Sequence, residues 1–99
     1  MLSFGLKAEH HQLIKKVLAT FLPADVEVLA FGSRARGDHQ TYSDLDLALK
    51  SAGPVDPRAL DQIRENLSQS SIPIQVEIVI LHELDAAFRS AIQKELVHF

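Results

Sequence analysis

Between Lys7 and Leu22 the apolar residues Leu13, Ile14, Val17, Leu18, Phe21 and Leu22 recur at helical spacing, and Pro23 ends the run. This pattern predicts a helix with one buried stripe. Val26 to Phe31 is short, apolar and rich in β-branched residues, and Gly32 closes it, which suits an internal strand. From Asp44 to Leu49 the alternation is strict: Leu45, Leu47 and Leu49 lie on one side, Asp44, Asp46 and Ala48 on the other. Both aspartates therefore share a face opposite the core leucines. After Gly53-Pro54 and Pro57, Leu60, Ile63 and Leu67 return to helical spacing over Arg58 to about Gln69, with Asp56 placed as an N-cap. Ile74 to Leu81 predicts a third strand, with Val76, Ile78 and Ile80 in one row and Glu77 in the other beside Gln75 and Val79. Leu84, Phe88, Ala91, Ile92 and Leu96 predict a closing helix from Glu83 to about Val97.

The order helix, strand, loop, strand, helix, strand, helix describes an α/β (α+β) layer, a small mixed sheet of about three to four strands with helices packed against it. Residues 1–99 read as one domain, because no repeat or low-complexity linker divides them. No run is long enough to span a bilayer, Met1 to Lys7 lacks a signal-peptide core, and there is no cysteine. A soluble cytoplasmic protein is the expectation. The formal net charge of -3 argues against coating DNA, which requires a concentrated basic surface. The apolar stripes of the first and last helices leave room for a homo-oligomer or a complex with a partner.

Chemistry concentrates between the first two strands. In Gly32-Ser33-Arg34-Ala35-Arg36-Gly37 the glycine allows a sharp turn, after which amides can point together at an anion and Ser33 adds a hydroxyl donor. Arg34 and Arg36 bring guanidinium groups suited to phosphate oxygens. Asp44 and Asp46, two residues apart on one strand face, disfavour each other's ionisation unless a divalent cation relieves the conflict. Mg²⁺ does so with oxygen ligands and normally completes its shell with water and substrate phosphates. Glu77 is the third acid placed in phase. The duller reading is an exposed Gly-Ser loop beside a strand with a wet face, but the combination of turn, Asp-x-Asp and in-phase acid favours phosphoryl-type chemistry. The histidines do not suggest a zinc site: His10 and His11 diverge by about 100° on a helix, and His39, His82 and His98 are scattered, with His82 placed to cap the last helix. Tyr42 reads as a packing residue.

Gly32-Ser33 followed by Asp44-Leu45-Asp46, within Phe31-Gly-Ser-Arg-Ala-Arg-Gly-Asp38 and Tyr42-Ser-Asp-Leu-Asp-Leu-Ala48, resembles the signature of the polymerase-β-like nucleotidyltransferase superfamily, closest to its minimal MNT-type members. The resemblance implies that Gly32 and Ser33 hold the triphosphate, to which the charge of the loop adds Arg34 and Arg36 as nucleotide-binding candidates. It implies that Asp44 and Asp46 coordinate Mg²⁺, two ions in all, while Glu77 binds one of them and helps to deprotonate the acceptor hydroxyl. Aspartate is commoner in the family at the place of Glu77, which is one methylene longer. The implied reaction transfers AMP from ATP to a tyrosine hydroxyl of a HEPN-type toxin encoded nearby, making the chain an antitoxin. Two alternatives stand beside it: a small-molecule transferase of the aminoglycoside type, and a non-catalytic module that inhibits its partner by occupying the partner's surface.

Overall fold

In the computed structural model, which describes residues 4–99, each apolar stripe finds a partner layer. Helix α1 (Ala8–Phe21) buries Ile14 and Leu18 and ends at an extended Leu22, just before Pro23. Strand β1 (Glu27–Phe31) runs into a single helical turn, α2 (Gly32–Arg36), and strand β2 (Leu45–Lys50) follows after a loop. Helix α3 (Pro57–Ser68) starts as its residues dictate: the Asp56 side chain accepts a hydrogen bond from the Arg58 amide at 2.9 Å, and proline occupies the first helical position. Strand β3 (Val76–Ile80), a short 3-10 turn (Leu81–Glu83), helix α4 (Ala86–Gln93) and strand β4 (Val97–His98) complete the described chain.

The four strands form one sheet in the order β3-β2-β1-β4. β1 is antiparallel to β2 and to β4, whereas β2 and β3 are parallel, so the sheet is mixed. Parallel neighbours need a long crossover, and the segment containing α3 supplies it. One sheet face carries Ala30, Leu45, Leu47, Leu49, Ile78 and Ile80, packed with Ile14, Leu18, Leu60, Ile63 and Leu67 of α1 and α3. The opposite face holds a smaller cluster of Phe31, Ala48 and Ile92, with Val79, Leu81, Leu84 and Leu96 packed around it. The alternation of β2 therefore does what its sequence demands: leucines fill the main core, and the row of Asp46 and Ala48 looks the other way.

Four sequence expectations change. The closing helix is divided: the 3-10 turn ends at an extended Leu84, the Asp85 carboxylate caps α4 by accepting from the Phe88 amide at 2.8 Å, and the helix stops at Gln93. Asp85, not His82, is the cap. Beyond Gln93, Val97 pairs with Ala30 and His98 with Leu29, because β1 presents a free edge that satisfies their backbone groups. The segment after β1, read from sequence as a loop, is helical for 5 residues and closes on Gly37, whose φ of 89° is the left-handed cap conformation. Asp44 lies just before β2 rather than inside it, although the β2–β3 ladder already begins where the Leu45 amide donates to the Gln75 carbonyl at 2.9 Å.

Candidate active site

Asp46 is the centre of the site because sheet register surrounds it. Across the antiparallel pair it faces Phe31, the last residue before Gly32, and across the parallel pair it faces Glu77. Gly32 has φ of 78°, and a Cβ built there would collide with Asp46 Oδ2 and lie 3.2 Å from Asp46 Cγ. Glycine is thus required twice over, for its positive φ and for the close approach of the carboxylate. Gly32→Ala is expected to destabilise the fold by about 1 kcal/mol or more and to push the Asp46 carboxylate away from the turn. Thermal melting measures the first effect and nucleotide titration the second; a variant with unchanged melting and binding would contradict this account.

Asp46 is half-buried, Asp44 and Glu77 are exposed. Burial raises the pKa of Asp46 first, and the negative charges of Asp44 and Glu77 raise it further, while Arg36 opposes them weakly. The fold therefore holds a carboxylate that is reluctant to ionise, which is the electrostatic condition a bound cation relieves. Because the folded chain holds this proton more tightly than the unfolded one, stability falls as pH rises from the ordinary aspartate range through the elevated folded value. Above that window the ionised Asp46 remains a constant cost. Asp46→Asn is accordingly expected to raise the melting temperature at neutral pH without divalent metal, with the gain shrinking in acid; melting curves at both pH values check it.

Among the described residues, no group of three or more His, Asp or Glu side chains gathers tightly enough to hold a metal ion by protein ligands alone. The acids are neighbours through register and charge rather than a closed cage. Mg²⁺ characteristically binds through one or two carboxylates and completes its shell with phosphates and water, so an open set of this kind matches its habits.

The two arginines part company. Arg36 is exposed and near the site, with Nη1 donating to Glu95 Oε2 at 2.7 Å and Nε to Asp38 Oδ2 at 3.2 Å. These contacts raise its pKa, that with Glu95 first. Arg34 turns inward and is only 3% exposed. Its Nε, Nη1 and Nη2 donate to the carbonyls of Ser43, Phe4 and Thr41 at 2.9, 2.9 and 3.0 Å. The sequence placed Arg34 among the nucleotide ligands; in the structure its planar fork is committed to three backbone carbonyls and ties the loop before β2 to the N-terminal segment. Ser33 is half-buried, and its carbonyl accepts the amides of Gly37 and Asp38 at 2.8 and 3.1 Å, which fastens the turn. Glu77 also lies on the rim of a depression lined by Arg64, Ser68, Ile72 and Gln75. Tyr42, assigned to packing from sequence, is 76% exposed and contributes little to the core.

One participant escaped the sequence reading. Glu95 Oε1 accepts from the Gly32 amide at 3.0 Å while Oε2 takes the guanidinium of Arg36. It lies far from the motif along the chain, in a stretch where only helical periodicity was legible, so no local signal marked it.

Residues 11–98 match the nucleotidyltransferase domain family. The chain belongs to that family. It is 38% identical over 92 residues to a Haemophilus influenzae protein named probable protein adenylyltransferase MntA, a match that covers 93% of this chain and 80% of that protein. Among solved structures, it is similar to a toxin-antitoxin with AMP-PNP, with TM-score 0.62 and 26% identity over 78% of this chain. The match spans 61% of that longer chain. A mutant MntA-HpeT toxin-antitoxin structure shares the fold at TM-score 0.69 and 22% identity, covering 90% of this chain and 70% of the other. The mixed sheet with its flanking helices is thus the nucleotidyltransferase fold.

Proposed function

We propose that this nucleotidyltransferase is an antitoxin that transfers AMP from ATP, with Mg²⁺, to a tyrosine hydroxyl of a HEPN-type toxin encoded nearby. The observation that carries the reading is the packing of the Gly32 turn directly against Asp46, which stands in register with Glu77. This packing supports reading the turn and the acidic strand as one site. The resemblance to MntA and to a toxin-antitoxin with AMP-PNP supports the class of donor and partner.

In this reading Asp44 and Asp46 hold Mg²⁺, with Glu77 reaching the same region from β3. The ion supplies charge neutralisation for the triphosphate and lowers the cost of placing it beside carboxylates. The residues do the rest. The Gly32 amide and Ser33 hydroxyl orient the phosphates, and Arg36 meets a phosphate oxygen from the end of the turn. Glu77, exposed on β3 in register with Asp46, accepts the proton of the incoming hydroxyl. The tyrosine oxygen forms a bond to the α-phosphorus as the bond to pyrophosphate breaks, and pyrophosphate leaves.

The test is incubation with α-labelled ATP, Mg²⁺ and the protein encoded by the adjacent reading frame. Label on a tyrosine of that protein, absent with Asp44→Asn, is the expected result. Inhibition of the partner that persists in Asp44→Asn without any label would replace transfer with simple blockade of the partner's surface.

A further inference from the structure

Two of the three donors that the proposed function assigns to the triphosphate, the Gly32 amide and Arg36, are already bridged by one side chain. Glu95 gives one carboxylate oxygen to the Gly32 amide, 3.0 Å, and the other to Arg36 Nη1, 2.7 Å. A backbone amide and a guanidinium are what a phosphate group selects, and a carboxylate is the side-chain group that best imitates it. Its placement is not that of a loose tail. The Glu95 amide donates to the Ile92 carbonyl at 2.9 Å at the end of α4, and two residues later the chain enters β4, whose Val97 and His98 pair with β1. Glu95 is therefore held at the site from both sides. The Arg36 guanidinium and then the Gly32 amide keep its carboxyl below the ordinary glutamate range, so it is ionised at neutral pH. Its charge also adds to the field that disfavours ionised Asp46.

The geometry points to Glu95 as a built-in competitor for the nucleotide's phosphates, an intramolecular anion that must leave the Gly32 amide and Arg36 before ATP can occupy the turn. This inference rests on the proposed nucleotide-binding role of that turn. Exchange of carboxylate for phosphate would occur with Mg²⁺ entering beside it, since phosphate and Asp46 could not otherwise share the space without strong repulsion. The Arg36 side chain is 46% exposed, so solvent screens the pair and the competition is a modest one.

The experiment is calorimetric titration of Mg²⁺-ATP, inorganic triphosphate and adenosine into the full chain and into Glu95→Gln and Glu95→Ala. Both variants are expected to bind ATP and triphosphate about 3- to 10-fold more tightly, Ala more than Gln, with no gain for adenosine, which carries no phosphate. The glutamine variant keeps the size and the acceptor oxygen, so it decides the matter if Glu95→Ala melts before titration. Variants that fold and bind ATP no better than the parent, or more weakly, would mean that Glu95 props the turn instead of competing for it, and the inference would fall alone. Absence of ATP binding by the parent and both variants would remove the nucleotide reading and this inference with it.

Discussion

Asp46→Asn is expected, on the proposed function, to lower AMP transfer by about 10²–10³-fold or more while leaving the chain folded, because it would remove one ionised oxygen ligand from the charge-neutralising centre of a phosphoryl transfer. The size follows from position. Asp46 is the acid that touches the Gly32 turn, faces Glu77 across the β2–β3 ladder and feels Asp44 from the same row. Asparagine preserves shape and retains a carbonyl oxygen, so the loss reports charge. The same substitution should make the metal-free protein more stable at neutral pH, as argued from the elevated pKa. Opposite signs for stability and activity separate a functional carboxylate from a structural one. Label transfer that survives Asp46→Asn within a few-fold would overturn the assignment of this residue to the metal.

Arg34→Ala is expected to lower stability by about 3 kcal/mol, since a buried guanidinium donating to three carbonyls is replaced by nothing that can satisfy them. For a domain of this size that corresponds to a fall in melting temperature of more than about 10 °C. Arg34→Lys should recover little of it, because an ammonium group cannot reach carbonyls of Phe4, Thr41 and Ser43 in one plane. Burial already lowers the pKa of Arg34, which nevertheless stays charged, so the loss should hold across the neutral range. Thermal denaturation of the three proteins is the measurement, and melting within a few degrees for Arg34→Ala would show the carbonyls finding other donors. Nucleotide affinity per folded molecule should change far less with Arg34 than with Arg36. That contrast tests the division of labour between two arginines that look alike in the sequence.

Periodicity made most of the scaffold legible. The stripe of Ile14 and Leu18, the leucine alternation of β2, the cap at Asp56 and the phase of Glu77 all follow from local geometry, since a helix repeats about every 3.6 residues and a strand every two. The choice of the Gly-Ser turn and the paired aspartates as candidates was equally local, since it rested on neighbours in the chain. Illegible were the features whose cause lies in another element. Val97 and His98 carry no strand signal of their own strength, and they become β4 because β1 offers an unpaired edge. Leu96 fits a helical stripe yet lies beyond the helix, packed against the Phe31 and Ala48 cluster.

The sequence by itself determined the α/β character of this protein and which side of each strand meets the core, and it named the candidates for phosphate and metal chemistry. Only the tertiary structure decided the use of those residues: it buried Arg34 under three carbonyls, left Arg36 at the mouth of the turn, and brought Glu95 from the far end of the chain to the Gly32 amide. The physical reason is that burial and charge act through space. Periodicity tells a side chain which way to face, but desolvation and pairing depend on what the folded chain brings opposite it.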